Sequence, residues 1–289
     1  HLHKIETTLC RNRYFAWGSR TYTMGILNVT PDSFSGDGTR DNIELAVDQA
    51  IHMEQEGVDI IDIGGESTRR YDNKLQSTKI SIEEELNRVI PVLKKIVKVV
   101  KIPISIDTYK PEVALQCLDS GANIINDVWG IMSNKDMLKV VSNWKVPLII
   151  MHNQLNTVYD HLTKNVLDSL ETAINRALDA GIQRDNIIID PGIGFGKTVQ
   201  QNLQLENHID KFNSLGQPIL IGPSRKSHIG IVLGDLPTDQ RIEGTSAIVS
   251  IAISKGADII RFHDVKEMMR VIRMSDAIVR GWAPVGETP

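Results

Sequence analysis

Polar side chains suited to chemistry stand directly after almost every short apolar run of the chain: Asn28; Asp62 and Glu66; Asp107; Asn126 with Asp127; His152 with Asn153; Asp190; Ser224-Arg225-Lys226-Ser227; and Arg261-Phe262-His263-Asp264. A single Asp, Asn or Ser in such a place is accounted for by capping the helix that follows, because its side chain accepts from free backbone amides. One helix takes one cap, so capping alone does not explain so many run ends at once. Asp107, Asn126, Asp190 and Lys226 together offer the donors and acceptors that match the flat edge of a heterocycle. Arg261 and His263, two residues apart, share one face of an extended segment and present cationic donors, which suits a phosphate or diphosphate. The competing reading of Arg261 is an ion pair with a carboxylate such as Asp264.

Two glycine-containing segments add to this set. The glycines of Asp190-Pro191-Gly192-Ile193-Gly194-Phe195-Gly196-Lys197 fit either a close approach of backbone to a ligand or plain turns. Gly222-Pro223-Ser224-Arg225-Lys226-Ser227 is more telling, since it follows the seventh apolar run, where barrels hold anions. Lys226 is read as a binding residue there. A Schiff-base lysine is the alternative, disfavoured by Arg225 and Arg261.

The elements that must position these residues are legible as β-branched runs over 23–27, 58–63, 102–106, 123–125, 147–151, 186–189, 218–221 and 258–260. Each fits a strand buried on both faces. Helical periodicity lies between them, as in the stripe Ile43, Ala46, Val47, Ala50, Ile51. Asp41 with Glu44 reads as a capping box, Pro111 as a first helical residue, and Gly57, Gly121, Gly181 and Gly256 as left-handed C-terminal caps. Eight strands alternating with helices predict an α/β fold, a closed (β/α)8 TIM barrel, with chemistry at the carboxyl ends of its strands. An open doubly wound sheet would carry a Gly-rich turn after its first strand, whereas Asn28-Val29-Thr30-Pro31-Asp32 stands there. Runs over 4–9 and 13–17 around Arg11-Asn12 predict an N-terminal β-hairpin within residues 1–20 that closes the barrel bottom, and residues 1–289 are expected to form one domain.

Composition narrows the class of function. With 41% hydrophobic and 24% charged residues among 289, the chain can bury one large core. A net charge of -4 with both signs interspersed predicts small-molecule partners, no nucleic acid and no anionic membrane surface. Cys10 and Cys117 are too few for a disulfide framework or a zinc site. No stretch reaches the roughly 18 continuous apolar residues of a membrane span, and His1-Leu2-His3-Lys4 lacks a signal-peptide core. A cytoplasmic location is the expectation.

From about residue 21 to 282 the motifs resemble the dihydropteroate synthase family of pterin-binding enzymes. They are Met24-Gly25-Ile26-Leu27-Asn28-Val29-Thr30-Pro31-Asp32-Ser33-Phe34, Gly64-Gly65-Glu66-Ser67-Thr68-Arg69, Ser105-Ile106-Asp107-Thr108, Asn126-Asp127, Met151-His152-Asn153, Asp190-Pro191-Gly192-Ile193-Gly194-Phe195, Ser224-Arg225-Lys226-Ser227 and Arg261-x-His263-Asp264-Val265. The resemblance implies that 6-hydroxymethyl-7,8-dihydropterin diphosphate and p-aminobenzoate give 7,8-dihydropteroate and pyrophosphate, with Mg2+ assisting and a pterin carbocation forming as pyrophosphate departs. It implies pterin binding by Asp107, Asn126, Asp190, Gly222 and Lys226, with Met151 against the ring. Asn28, Arg69, Arg261 and His263 are implied for the diphosphate, Asn28 also for the metal, and Thr68, Phe195, Lys226 and Ser227 for p-aminobenzoate. Asp107, Asp190, Lys226, Arg261 and His263 are the catalytic set on this reading. A homodimer is implied as well.

The chain departs from the family pattern in three places. Arg70-Tyr71 replaces a Pro-Gly and opens a polar stretch through Lys79; His228 stands where Phe is usual; and Ser35-Gly36-Asp37-Gly38 reorders the first loop after Phe34. The loops over 29–38 and 66–79 read as lids, and Arg70-Tyr71 either alters discrimination between p-aminobenzoate and sulfonamides or is a solvated insertion. A methyltransferase barrel acting on methyltetrahydrofolate would share the pterin set but not the anion set of Ser224-Arg225-Lys226-Ser227 and Arg261-x-His263. A non-catalytic binding barrel is the third reading.

Overall fold

The computed structural model describes residues 4–31, 39–66, 79–132 and 134–286. A hairpin comes first, β1 (Thr7–Cys10) and β2 (Arg13–Ala16), turning through Arg11 and Asn12 with φ of 46° and 58°. Two successive residues in the left-handed region match the right-handed twist of the strands they join.

Eight parallel strands follow: β3 (Tyr22–Asn28), β4 (Ile60–Gly64), β5 (Ile104–Asp107), β6 (Ile124–Asp127), β7 (Leu148–Met151), β8 (Ile187–Asp190), β9 (Leu220–Ile221) and β10 (Ile259–Phe262). They pair in the order β8-β7-β6-β5-β4-β3-β10-β9, and a parallel bridge between Ile189 and Ile219 joins the two ends. The predicted strands are all present, with bounds that differ from the predicted runs by one or two residues. Helices α1 (Thr39–Gln55), α2 (Ile82–Val99), α3 (Pro111–Asp119), α4 (Lys135–Trp144), α5 (Leu162–Asp179), α6 (Val199–Asn207), α7 (Ser227–Val232), α8 (Ile242–Ser254) and α9 (Val265–Arg280) cover the outside. Pro111 opens α3, and the four glycines read as C-caps all have positive φ. The capping box did not survive, because α1 starts at Thr39 and takes Asp41 into its first turn.

Strand alternation sorts the side chains into layers. Ile61, Ile63, Ile104, Ile106, Ile125, Leu148 and Ile150 join the core shared with the helices. Their neighbours Met24, Ile60, Ile124, Ile149, Ile188, Leu220 and Ile259 form a second cluster with Cys10 and Phe15 of the hairpin. This second cluster is the lower barrel interior, plugged from below by the hairpin. Thr8 Oγ1 donates to Asp185 O at 2.6 Å, and Arg11 Nη1 donates to Ile102 O at 2.7 Å, which pins the hairpin to the amino-terminal rim. One step higher on the same inward-facing rows the residues turn polar: Asp62, Ser105, Asp107, Asn126, Asp190 and Arg261.

Candidate active site

Register sets the mouth. Asn28 lies opposite Gly64, Gly64 opposite Asp107, and Asp107 opposite Asn126, while Met151 faces Asp190. Asn28, Gly64, Asp107 and Asn126, from four neighbouring strands, thus stand in one row. Gly64 leaves the gap between its neighbours open: a Cβ there would meet Asp107 Oδ2 at 3.5 Å and Asn28 Oδ1 at 3.7 Å.

Asp62 occupies the centre and is fully buried. Arg261 Nε donates to its Oδ2 at 2.7 Å, and Asn126 Nδ2 donates to the same oxygen at 3.1 Å. Arg261 Nη2 also donates to Asp107 Oδ2 at 3.4 Å. Among the described residues, Asp62 Oδ1, Asn126 Oδ1 and Ser105 Oγ are buried without a partner. Three neighbouring buried polar atoms left unmatched describe a place for a polar ligand edge, since such atoms cost free energy unless something pairs them.

The electrostatics follow from the crowding. Burial, and then the Asp62 charge, push the Asp107 carboxyl up to about 8, with Arg261 opposing. Burial likewise raises Asp190, against the pull of Lys226. Burial lowers Lys226 to about 8, with Asp190 resisting. Burial also works against the Arg261 cation, but Asp62 and Asp107 outweigh it and raise its pKa. One region therefore holds a carboxyl and an amine that are both shifted to about 8, with a second carboxyl raised beside them, a pattern that marks functional sites.

The loops after β8, β9 and β10 meet around Lys226. Asp190 Oδ1 accepts from Gly192 N at 2.8 Å; Lys226 Nζ donates to Ile193 O and lies 4.7 Å from the Phe195 ring centroid. Gly222 follows β9 directly, and a Cβ there would come within 3.5 Å of Arg261 Cβ. Ser227 begins α7. Ser224 Oγ accepts from His263 N at 2.9 Å and pairs with His263 Nδ1 at 2.8 Å. Arg225 Nε and Nη2 donate to the two Asp264 oxygens at 3.1 and 2.7 Å. Asp264 is thus matched to Arg225, and Arg261 turns inward to β4 and β5 instead.

Asn28, Asp107, Asn126, Met151, Asp190, Gly222, Lys226, Arg261 and His263 all stand at this end of the barrel. Phe34, Thr68, Arg69, Arg70 and Tyr71 lie outside the described residues, as does most of both predicted lids. Sequence reasoning named Asp62 as a strand end but assigned it no role. Its signal was an Asp inside an otherwise apolar run, which requires a cation, and Arg261 supplies it. Also missed was the clasp at the base of the β4 loop, where Lys110 Nζ donates to Glu66 at 2.9 Å and to Glu85 at 2.6 Å, and Thr108 Oγ1 donates to Glu85 at 2.6 Å.

A (β/α)8 barrel whose mouth joins an acidic, amide-lined floor to a cationic rim is the class this geometry defines. The family model described as "Pterin binding enzyme" matches residues 24–263. The chain belongs to the pterin-binding enzyme family, and its relatives are dihydropteroate synthases. That of Clostridium beijerinckii is 50% identical over 271 residues, covering 93% of this chain and 98% of its own. The solved dihydropteroate synthase of Clostridium difficile, in the presence of pteroic acid, is 45% identical with a TM-score of 0.86 and covers 91% of this chain and 98% of that one. The Xanthomonas albilineans dihydropteroate synthase with 4-aminobenzoic acid is 38% identical with a TM-score of 0.88, covering 95% and 98%.

Proposed function

We propose that this chain is a dihydropteroate synthase, a transferase that joins 6-hydroxymethyl-7,8-dihydropterin diphosphate to p-aminobenzoate and releases 7,8-dihydropteroate and pyrophosphate. The observation that carries it is the Asp62–Arg261–Asp107 set with the unmatched oxygens of Asp62 and Asn126 beside it. A pterin edge has the donors and acceptors to complete that set, and Asp190 with Lys226 extends it.

The substrate's methylene–oxygen bond breaks and both of its electrons leave with pyrophosphate. The amine nitrogen then bonds to the methylene carbon and gives up one proton. Charge separates in the first step, so carboxylates near the pterin cation and cations near the leaving anion lower the barrier. Asp107 and Asp190 stand on the first side; Arg261 and His263 stand on the strand end that receives the second. The arylamine needs no deprotonation before attack, so no dedicated base is required.

Mg2+ fits the donor chemistry of this mouth. The Asn28 side-chain oxygen lies beside Gly64 and Asp107, and Mg2+ on a diphosphate takes one or two protein oxygens while phosphates and water supply the rest. Among the described residues no group of three or more His, Cys, Asp and Glu could hold a metal by itself, so Asn28 would share the ion with the substrate. Bound there, the ion would neutralise the leaving anion.

The homodimer is supported by the outer face of α8 and α9. A cavity of about 580 Å³ runs between Ser246, Ser250, Arg270, Met274 and Ile278, and Met274 and Ile278 are 62% and 73% exposed. Exposed apolar side chains around a groove of small residues suit a second copy. A cytoplasmic location is supported by the two free, buried thiols Cys10 and Cys117; among the described residues no helix is long and apolar enough to cross a membrane.

The test incubates the protein with the pterin diphosphate, p-aminobenzoate and Mg2+. Pyrophosphate release that requires p-aminobenzoate supports the reading. Binding of the pterin without turnover would favour a binding barrel.

A further inference from the structure

We infer that Lys197 is a positioning residue for the arylamine, acting through the loop that carries Phe195; this rests on the synthase reading above. Lysine is almost never fully buried unless its donors are all used. Lys197 is 6% exposed, and its Nζ donates to Gly192 O at 2.9 Å and Phe195 O at 2.8 Å and meets His152 Nδ1 at 2.8 Å. An ammonium has donors only, so Nδ1 is the unprotonated ring nitrogen. Burial, then the Lys197 charge, push His152 down to about 3, which keeps the ring neutral and able to accept.

The same loop is held from other sides. Tyr159, whose ring centroid is 5.9 Å from that of His152, donates its hydroxyl to Gly196 O at 2.6 Å. Gly194 N donates to Asn202 Oδ1 at 2.8 Å, and Lys226 Nζ donates to Ile193 O. The carbonyls of residues 192, 193, 195 and 196 are therefore each fixed by a side chain. The loop also lies against the backbone beyond β7: Gly192 has φ of 78°, and a Cβ on it would fall 1.8 Å from His152 O. Its one aromatic side chain is Phe195, set against Lys226 of the proposed pterin site, where an amine that attacks the pterin methylene would meet this ring. Among the described residues, Lys197 is the one side chain that holds two of these carbonyls, one of them that of Phe195 itself, and so fixes the backbone that carries the ring. The pterin residues Asp107 and Asn126 are held separately, by their strands, Asp62 and Arg261.

This separation yields a test that a general structural role would fail. In Lys197→Met, KM for p-aminobenzoate at saturating pterin diphosphate should rise about tenfold or more, since small misplacements of a reactant are costly. The Kd for 6-hydroxymethylpterin, measured by calorimetry, should rise by a clearly smaller factor, about threefold or less, because Asp62, Asp107 and Asn126 are held by their strands and only Asp190 and Lys226 touch this loop, through Gly192 N and Ile193 O. The His152 imidazole, followed by NMR, should titrate at higher pH once the neighbouring cation is gone. Tyr159→Phe, a milder change that frees only Gly196 O, should raise the p-aminobenzoate KM in the same direction and serves if Lys197→Met does not fold. If KM and the pterin Kd rise by the same factor, or neither moves, in a variant of a protein that turns over normally, the inference is overturned. If the unaltered protein shows no turnover, the synthase reading falls, and this inference with it.

Discussion

Replacing Asp107 by Asn should stabilise the ligand-free protein while weakening its hold on the pterin. The Asp107 carboxyl is pushed from 3.8 to about 8 by burial and by Asp62. The folded protein therefore binds a proton that the unfolded chain releases, and stability falls as pH rises between those two values. At pH 7 that span corresponds to about 4 kcal/mol. Asn gives up part of the contact with Arg261, so a net gain of about 2 kcal/mol is the reasoned magnitude. For a chain of this size that is a rise of about 4 °C in melting temperature. Calorimetry at pH 4.5 and 7.5 reads both the sign and its origin. The Asn protein should melt higher at pH 7.5, with the gap closing toward pH 4.5, and titration with 6-hydroxymethylpterin should show affinity reduced by about 2 kcal/mol. An Asn protein that melts lower at pH 7.5, or a gap of equal size at both pH values, would refute the idea that the folded protein must keep a proton on Asp107 and loses stability as pH rises.

Arg261→Ala leaves the fully buried Asp62 without its cation, so it should lower stability by about 3 kcal/mol, weaken a phosphate-free pterin by disturbing the Asp62–Asp107 floor, and weaken pyrophosphate by a larger factor still; equal losses for both ligands make Arg261 purely structural. Asp190→Ala or Lys226→Ala should each remove about 2 to 4 kcal/mol of pterin affinity by calorimetry, and unchanged binding sinks their assignment. Because Lys226 sits at about 8, its cation is lost as pH rises through that value, and kcat/KM should fall on the alkaline side; a flat profile to pH 9.5 contradicts this. Met274→Glu with Ile278→Lys should give a monomer in sedimentation, and an unchanged mass rejects the α8–α9 interface. Exchanging Arg70-Tyr71 for Pro-Gly should shift the ratio of the p-aminobenzoate KM to the sulfonamide inhibition constant; a fixed ratio makes that stretch a solvated insertion.

The barrel was legible because eight β-branched runs alternate with amphipathic segments, and both patterns report burial directly. The mouth was legible because a strand end is where a chain of period two stops being apolar: Asp107, Asn126, Asp190 and Arg261 mark it. Contacts across the barrel were not legible. Arg261 and Asp62 are 199 residues apart in sequence, and no local pattern says that Arg261 chooses Asp62 while its near neighbour Asp264 turns to Arg225. Lys197 was hidden for a related reason, since a Lys after a Gly-rich turn reads as surface until the fold shows His152 and two carbonyls around it. The capping box failed on a matter of register, because α1 takes its first turn two residues before Asp41.

The chemistry proposed for this mouth joins an arylamine to a pterin methylene with loss of pyrophosphate. Its most direct test is a time course with 6-hydroxymethyl-7,8-dihydropterin diphosphate, p-aminobenzoate and Mg2+ in which 7,8-dihydropteroate and pyrophosphate are both quantified. The two products should accumulate one to one, and both should fall by about a hundredfold or more in Asp190→Ala. Pyrophosphate without dihydropteroate, or neither product from a protein that binds the pterin, would contradict it.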